Sequence, residues 1–192
     1  MKTNPVVLTA AFDQALAYAA ALHRYQQRKL TGVPYVAHLM AVAALVLEDG
    51  GGEIDAIAAL LHDAVEDQGG LATLQAICDR FGQPVADLVW GCTEPPRLAS
   101  RTWRDHKRQY LAQIAQASPA VQRIMLADKL HNVRSLWGLL QQYGPGVWQH
   151  FSGGQENTLW LYGEYAKLFE TVRPSWMTTE LQQLTLALKV SD

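Results

Sequence analysis

Apolar residues recur along most of this chain at intervals of three and four, the spacing that lines one face of an α-helix. Phe12, Leu16, Ala19 and Leu22 follow Thr9, a residue suited to cap a helix start, and predict a first helix to about residue 25. Gly32-Val33-Pro34 interrupts the pattern, with Pro34 placed to open a second helix over residues 35–48 that ends at Gly50-Gly51-Gly52. A third helix is expected over 54–67, closing at Gly69-Gly70, with two shorter ones over 73–80 and 84–92. Residues 93–101, with two prolines, read as a loop. Helices over 103–117 and 120–142 follow, then breaks at Gly144-Pro145-Gly146 and Ser152-Gly153-Gly154, then helices over 156–172 and 178–189. Few stretches combine β-branched alternation with strand length. The expectation is an all-α fold, one helical bundle of about eight to ten helices forming a single domain over residues 1–192, without repeats or an internal linker.

Composition narrows the class of protein. Apolar residues make up 49% of the 192 and charged ones 18%, which excludes a disordered polymer. The formal net charge of −2 gives no general attraction to nucleic acid or an acidic membrane, so any anion-binding surface must be local. The longest apolar run, residues 39–47, is nine residues, against the roughly 18 needed to span a bilayer. The N-terminus lacks the apolar core and cleavage site of a signal peptide. Cys78 and Cys92 form no close pair, which suits a reduced compartment. These readings predict a cytoplasmic protein with neither a membrane nor a nucleic-acid partner. A homo-oligomer is left open, and Trp148, Trp160, Tyr162 and Tyr165 in the last third suit core or a subunit contact.

Three local clusters carry chemistry. The first is His62-Asp63-Ala64-Val65-Glu66-Asp67, after the apolar run Ala56-Ile57-Ala58-Ala59-Leu60-Leu61. On a continuous helix its imidazole and three carboxylates span an arc of about 140°. Three acids converging beside a buried segment repel one another unless a cation neutralises them. The second is Ala127-Asp128-Lys129-Leu130-His131-Asn132, where Asp128 and Asn132 share a helix face behind Ile124, Met125 and Leu126. An isolated Asp128 equally suits a surface pair with Lys129 or Arg134. The third is the stretch from Arg28 to His38, with His38 four residues after Pro34. Together His38, His62, Asp63 and Asp128 supply two imidazoles and two carboxylates, a set of intermediate hardness that suits Mn²⁺, Fe²⁺, Co²⁺ or Zn²⁺.

These residues, in this order, resemble the His…His-Asp…Asp signature of the HD superfamily, and in particular the hydrolase domain of the RelA/SpoT branch. The resemblance rests on R-K-x-x-G-x-P-Y-x-x-H at 28–38, A-x-L-L-H-D-x-x-E-D at 58–67 and A-D-K-L-H-N-x-R at 127–134, and it covers roughly residues 13–140. Phe81-Gly82 and Val89-Trp90-Gly91-Cys92-Thr93 also fit. The chain lacks the length for the branch's synthetase domain and is most similar to its small stand-alone alarmone hydrolases.

The resemblance implies an HD-type fold and hydrolysis of the 3′-pyrophosphate of guanosine tetra- or pentaphosphate, an activity of the stringent response. An adenine alarmone or NADPH stands as the alternative substrate. It implies one Mn²⁺ on His38, His62, Asp63 and Asp128, with Glu66 and Asp67 orienting and deprotonating the attacking water. It further implies that Arg28 and Lys29 flank the purine and that Asn132 bonds the sugar or its 3′ substituent. Arg104 and Lys107, in the basic stretch 101–108, are candidates to face a phosphate, although a solvated helix face is the better reading of them. The chain departs from the family at Leu39, where a proline is usual, and in its short glycine-rich turn after Asp67. Little beyond residue 140 matches.

Overall fold

The computed structural model describes residues 5–151 and 153–190, and realises the helical pattern as ten α-helices and one 3₁₀ helix, with no strand among those residues. Ser152, in one of the expected breaks, lies outside the described residues, as do Met1–Asn4 at the N-terminus. No described helix is long and apolar enough to cross a membrane. The chain divides into two units, residues 1–93 and 94–192.

The first unit holds α1 (Ala10–Leu22), α2 (Val36–Glu48), α3 (Glu53–Leu61), α4 (Ala64–Asp67), α5 (Leu71–Phe81) and α6 (Gln83–Cys92). Thr9 caps α1 as expected, its hydroxyl accepting from the Ala11 N–H. At the centre lies α3, packed against α1, α2 and α6. Its residues Ala56, Ile57, Ala58, Ala59, Leu60 and Leu61 are all buried, and the alanines let neighbouring backbones approach closely.

Two expectations need correcting here. The third helix does not run on to Asp67. It stops at Leu61, His62 and Asp63 form a turn, and the single-turn α4 follows. Asp63 sits at φ −94°, ψ −3°, outside the helical well, in the bridge region that active-site residues often occupy. Its Oδ2 faces the two histidines and the Tyr35 hydroxyl. The second correction concerns Pro34, which opens no helix. It bridges to Gln27 in a short antiparallel pairing, with the Arg28 N–H donating to Val33 O and the Tyr35 N–H to Gln26 O. The left-handed backbone at Gly32 (φ +67°) turns the chain inside this hairpin, and α2 begins at Val36.

The second unit holds α7 (Trp103–Gln116), α8 (Pro119–Tyr143), a 3₁₀ helix (Gly144–His150), α9 (Gly154–Val172) and α10 (Trp176–Val190). Thr102 and Ser118 cap α7 and α8. The expected break at Gly144-Pro145-Gly146 is instead the start of the 3₁₀ helix. Gly144, at φ +69°, ends α8, and burial of Val147 and Trp148 holds the following turn in place. Tyr165 is buried with Trp148, whereas Trp160 and Tyr162 are half-buried. Phe169 is fully buried in α9 and stacks on Tyr165. Phe169→Ala should destabilise the protein by about 3–5 kcal/mol through lost burial and the cavity left behind. Urea denaturation followed by far-UV circular dichroism checks this, and a loss below about 1 kcal/mol would show that the site collapses around the smaller side chain.

Candidate metal centre

The first unit brings three donor atoms together. His38 stands in the first turn of α2 and His62 at the end of α3, both buried. Their rings meet edge to face with centroids 5.4 Å apart. Asp63 Oδ2 lies 3.1 Å from His62 Nε2 and 3.6 Å from His38 Nε2. Two imidazole nitrogens and one carboxylate oxygen thus point at a common place.

Hydrogen bonds around them fix these orientations. His62 Nδ1 is 2.8 Å from the Ala59 carbonyl, which can only accept, so the ring proton sits on Nδ1 and the Nε2 lone pair faces Asp63. The Tyr35 hydroxyl donates to Asp63 Oδ2 at 2.7 Å. Outer partners of this kind set the tautomer and aim of metal ligands. A lone pair and a carboxylate oxygen facing each other repel, and a cation between them removes that repulsion. The donors are those of a divalent metal, two buried imidazoles and a carboxylate gathered within the first unit.

The acidic pair beyond the ligands lies at the surface. Glu66 and Asp67 are both exposed, so the crowding of three buried carboxylates expected from a continuous helix does not arise. Asp67 Oδ2 accepts from Gln26 Nε2 at 2.7 Å, and Gln26 Oε1 accepts from Gln68 Nε2 at 2.6 Å. In the hairpin, the Arg28 guanidinium lies over the Tyr35 ring at 5.8 Å, and Lys29 is exposed.

In the second unit, Asp128 is buried in α8 and paired with Lys129, so the pairing expected at the surface lies in the interior. Its Oδ2 is 2.6 Å from Lys129 Nζ, and its Oδ1 accepts from Asn132 Nδ2. Lys129 lies over the rings of Tyr110 and Tyr165, at 5.6 and 5.3 Å. Burial pulls the Lys129 ammonium down, but Asp128, Tyr165 and Tyr110 hold it well above the ordinary lysine range. The other pairing considered for Asp128 is taken, since Arg134 forks onto Glu180. Arg104 bonds Asn157 and Glu156, and Lys107 meets both oxygens of Glu94, which His106 Nε2 also reaches at 2.8 Å. Both cations therefore carry carboxylate partners within their own unit. Sequence reasoning gave no role to Tyr35, and to Lys129 only that of a surface partner for Asp128. Each lies inside a quoted motif, so its position next to a candidate ligand was the available signal.

The HD domain family model matches residues 15–152, and the chain belongs to that family. Within the family it is similar to the mouse guanosine-3′,5′-bis(diphosphate) 3′-pyrophosphohydrolase MESH1, with 38% identity over 126 residues that cover 64% of this chain and 68% of the mouse protein. It is also similar to a guanosine-3′,5′-bis(diphosphate) 3′-pyrophosphohydrolase of Aquifex aeolicus, 36% identical over 125 residues. That match covers 65% of this chain and 18% of the longer Aquifex protein. Among solved structures, a metazoan ortholog of SpoT that hydrolyses ppGpp superposes with a TM-score of 0.76 and 28% identity, covering 97% of this chain and 98% of the other.

Proposed function

We propose that this protein hydrolyses the 3′-pyrophosphate of guanosine tetra- or pentaphosphate, releasing pyrophosphate and GDP or GTP. The observation that carries this reading is the approach of Asp63 Oδ2 to the Nε2 atoms of His38 and His62, a donor set held ready by Tyr35 and the Ala59 carbonyl. Membership of the HD family and similarity to the MESH1 proteins support the substrate. Asp128 completes the ligand set, supported by its burial and by its place in the A-D-K-L-H-N-x-R motif. Mn²⁺ suits these four donors, and when bound it lowers the pKa of a water and neutralises charge on the phosphate oxygens.

The chain's own residues divide the remaining work. Glu66 and Asp67 orient the attacking water and take its proton, a role open to carboxylates that solvent and substrate both reach. The bond from the 3′-oxygen to phosphorus breaks, the water oxygen leaves with the pyrophosphate, and the 3′-hydroxyl regains a proton. Arg28 stacks on the purine, Lys29 flanks it, and Asn132 bonds the sugar or its 3′ substituent. Arg104 and Lys107 would meet substrate phosphates by exchanging Glu156 and Glu94 for them. The reaction belongs in the cytoplasm, where two free cysteines are at home.

Purified protein with Mn²⁺ should release pyrophosphate from guanosine tetraphosphate and stop when a chelator is added. Offering the adenine counterpart and NADPH in parallel tests the base. Turnover of either in preference to the guanine compound would move the substrate while keeping the centre. Turnover of none would overturn the enzymatic reading.

A further inference from the structure

Beside the proposed centre lies a buried histidine outside the ligand set. His23, at the end of α1, is 2% exposed. Its Nδ1 is 2.7 Å from Gln26 Oε1, and its ring stacks on Tyr35 with centroids 5.3 Å apart and planes 21° from parallel. Its Nε2 is buried with no hydrogen-bond partner among the described residues.

Proton inventories fix the direction of every bond in this chain. The Asp67 carboxylate, when ionised, only accepts, so the Gln26 carboxamide must turn its N–H toward Asp67. Gln26 Oε1 then faces the other way, where it takes the Gln68 N–H and lies against His23 Nδ1. Because that oxygen only accepts, the His23 proton is on Nδ1. A leucine or phenylalanine would fill the same space without the cost of stranding Nε2, an unpaired buried polar atom. The imidazole earns its place through the proton on Nδ1. The hairpin supplies the register, since Tyr35 N–H donates to Gln26 O and Gln26 N–H to His23 O. The same ring therefore holds Gln26, which grips Asp67, and Tyr35, which grips Asp63.

We propose that His23 and Gln26 are positioning residues for hydrolysis: His23 locks the Gln26 carboxamide so that it holds the Asp67 carboxylate in the one orientation that serves the attacking water. The proposal rests on the assignment of Asp67 as part of the general base.

The test pairs kinetics with a signature independent of turnover. Gln26→Leu should lower kcat about 10–100-fold, as loss of an outer hydrogen-bonding partner commonly does, with KM within about twofold. His23→Phe, which keeps the ring and loses the donor, should lower kcat in the same direction. His23→Asn, whose Nδ2 can donate from nearly the same place, should recover most of it. Nitrogen-15 NMR of the metal-free protein should show the His23 proton on Nδ1, and Gln26→Leu should abolish that preference. An Nε2–H tautomer in the native protein, a Gln26→Leu kcat unchanged within about twofold, or a fall in thermal midpoint that accounts for the lost rate would each overturn the proposal. A native protein that turns over nothing fails the assigned reaction and this proposal with it. Native turnover alongside an unaffected Gln26→Leu fails this proposal alone.

Discussion

Asp63→Ala should lose metal and turnover together, with kcat/KM falling by about a thousandfold or more, the equivalent of the several kcal/mol that a well-placed divalent ion supplies. The reasoning is geometric. Asp63 Oδ2 lies within 3.6 Å of both histidine Nε2 atoms, and it also accepts from the Tyr35 hydroxyl. Removing the carboxylate takes away one of the two negative charges proposed to balance the dication, and strands the Tyr35 donor. Calorimetric titration with Mn²⁺ and elemental analysis of the purified protein measure the first loss, and pyrophosphate release measures the second. Asp63→Asn separates charge from shape, because it still accepts from Tyr35 while carrying no negative charge. Near-native metal affinity in Asp63→Ala would remove Asp63 from the ligand set.

The second large effect is expected at Asp67. Asp67→Asn should reduce kcat by about 10²–10⁴-fold, the usual worth of a general base, and leave metal affinity and KM close to native. The asparagine keeps an oxygen for Gln26 to bond, so the change removes basicity while preserving the contact. Glu66→Gln in parallel shows how the two acids share the work. If they act as a unit, the double variant should be little worse than the more damaged single one. A fall in KM-dependent terms alone would make Asp67 a substrate contact instead.

Much of this was legible in the sequence because helices announce themselves locally. Thr9, Gly50-Gly51-Gly52 and Ser118-Pro119 mark helix ends through caps and breakers that act within a few residues. The candidate ligands were legible because their residue types and order are specific. The break at His62-Asp63 was not, because nothing in Leu61-His62-Asp63-Ala64 disfavours a helix. The unwinding is a tertiary effect, fixed by Tyr35 from a distant loop. Gly144-Pro145-Gly146 misled in the opposite sense, since burial of Trp148 imposes a helical turn on residues that locally resist one. The pairing of Arg104 with Glu156 and of Lys107 with Glu94 needs contacts between residues 13 and 52 positions apart, which no local pattern encodes.

The joint between α3 and α4 has an evolutionary consequence. The proposed ligands His62 and Asp63 close the buried α3, whereas the proposed bases Glu66 and Asp67 stand exposed on the single-turn α4, followed by Gly69-Gly70. Insertions or substitutions after Asp67 can therefore re-aim the water-activating carboxylates while the ion stays where it is. A scaffold divided in this way can drift from one phosphate ester to another without passing through a form that has lost its metal.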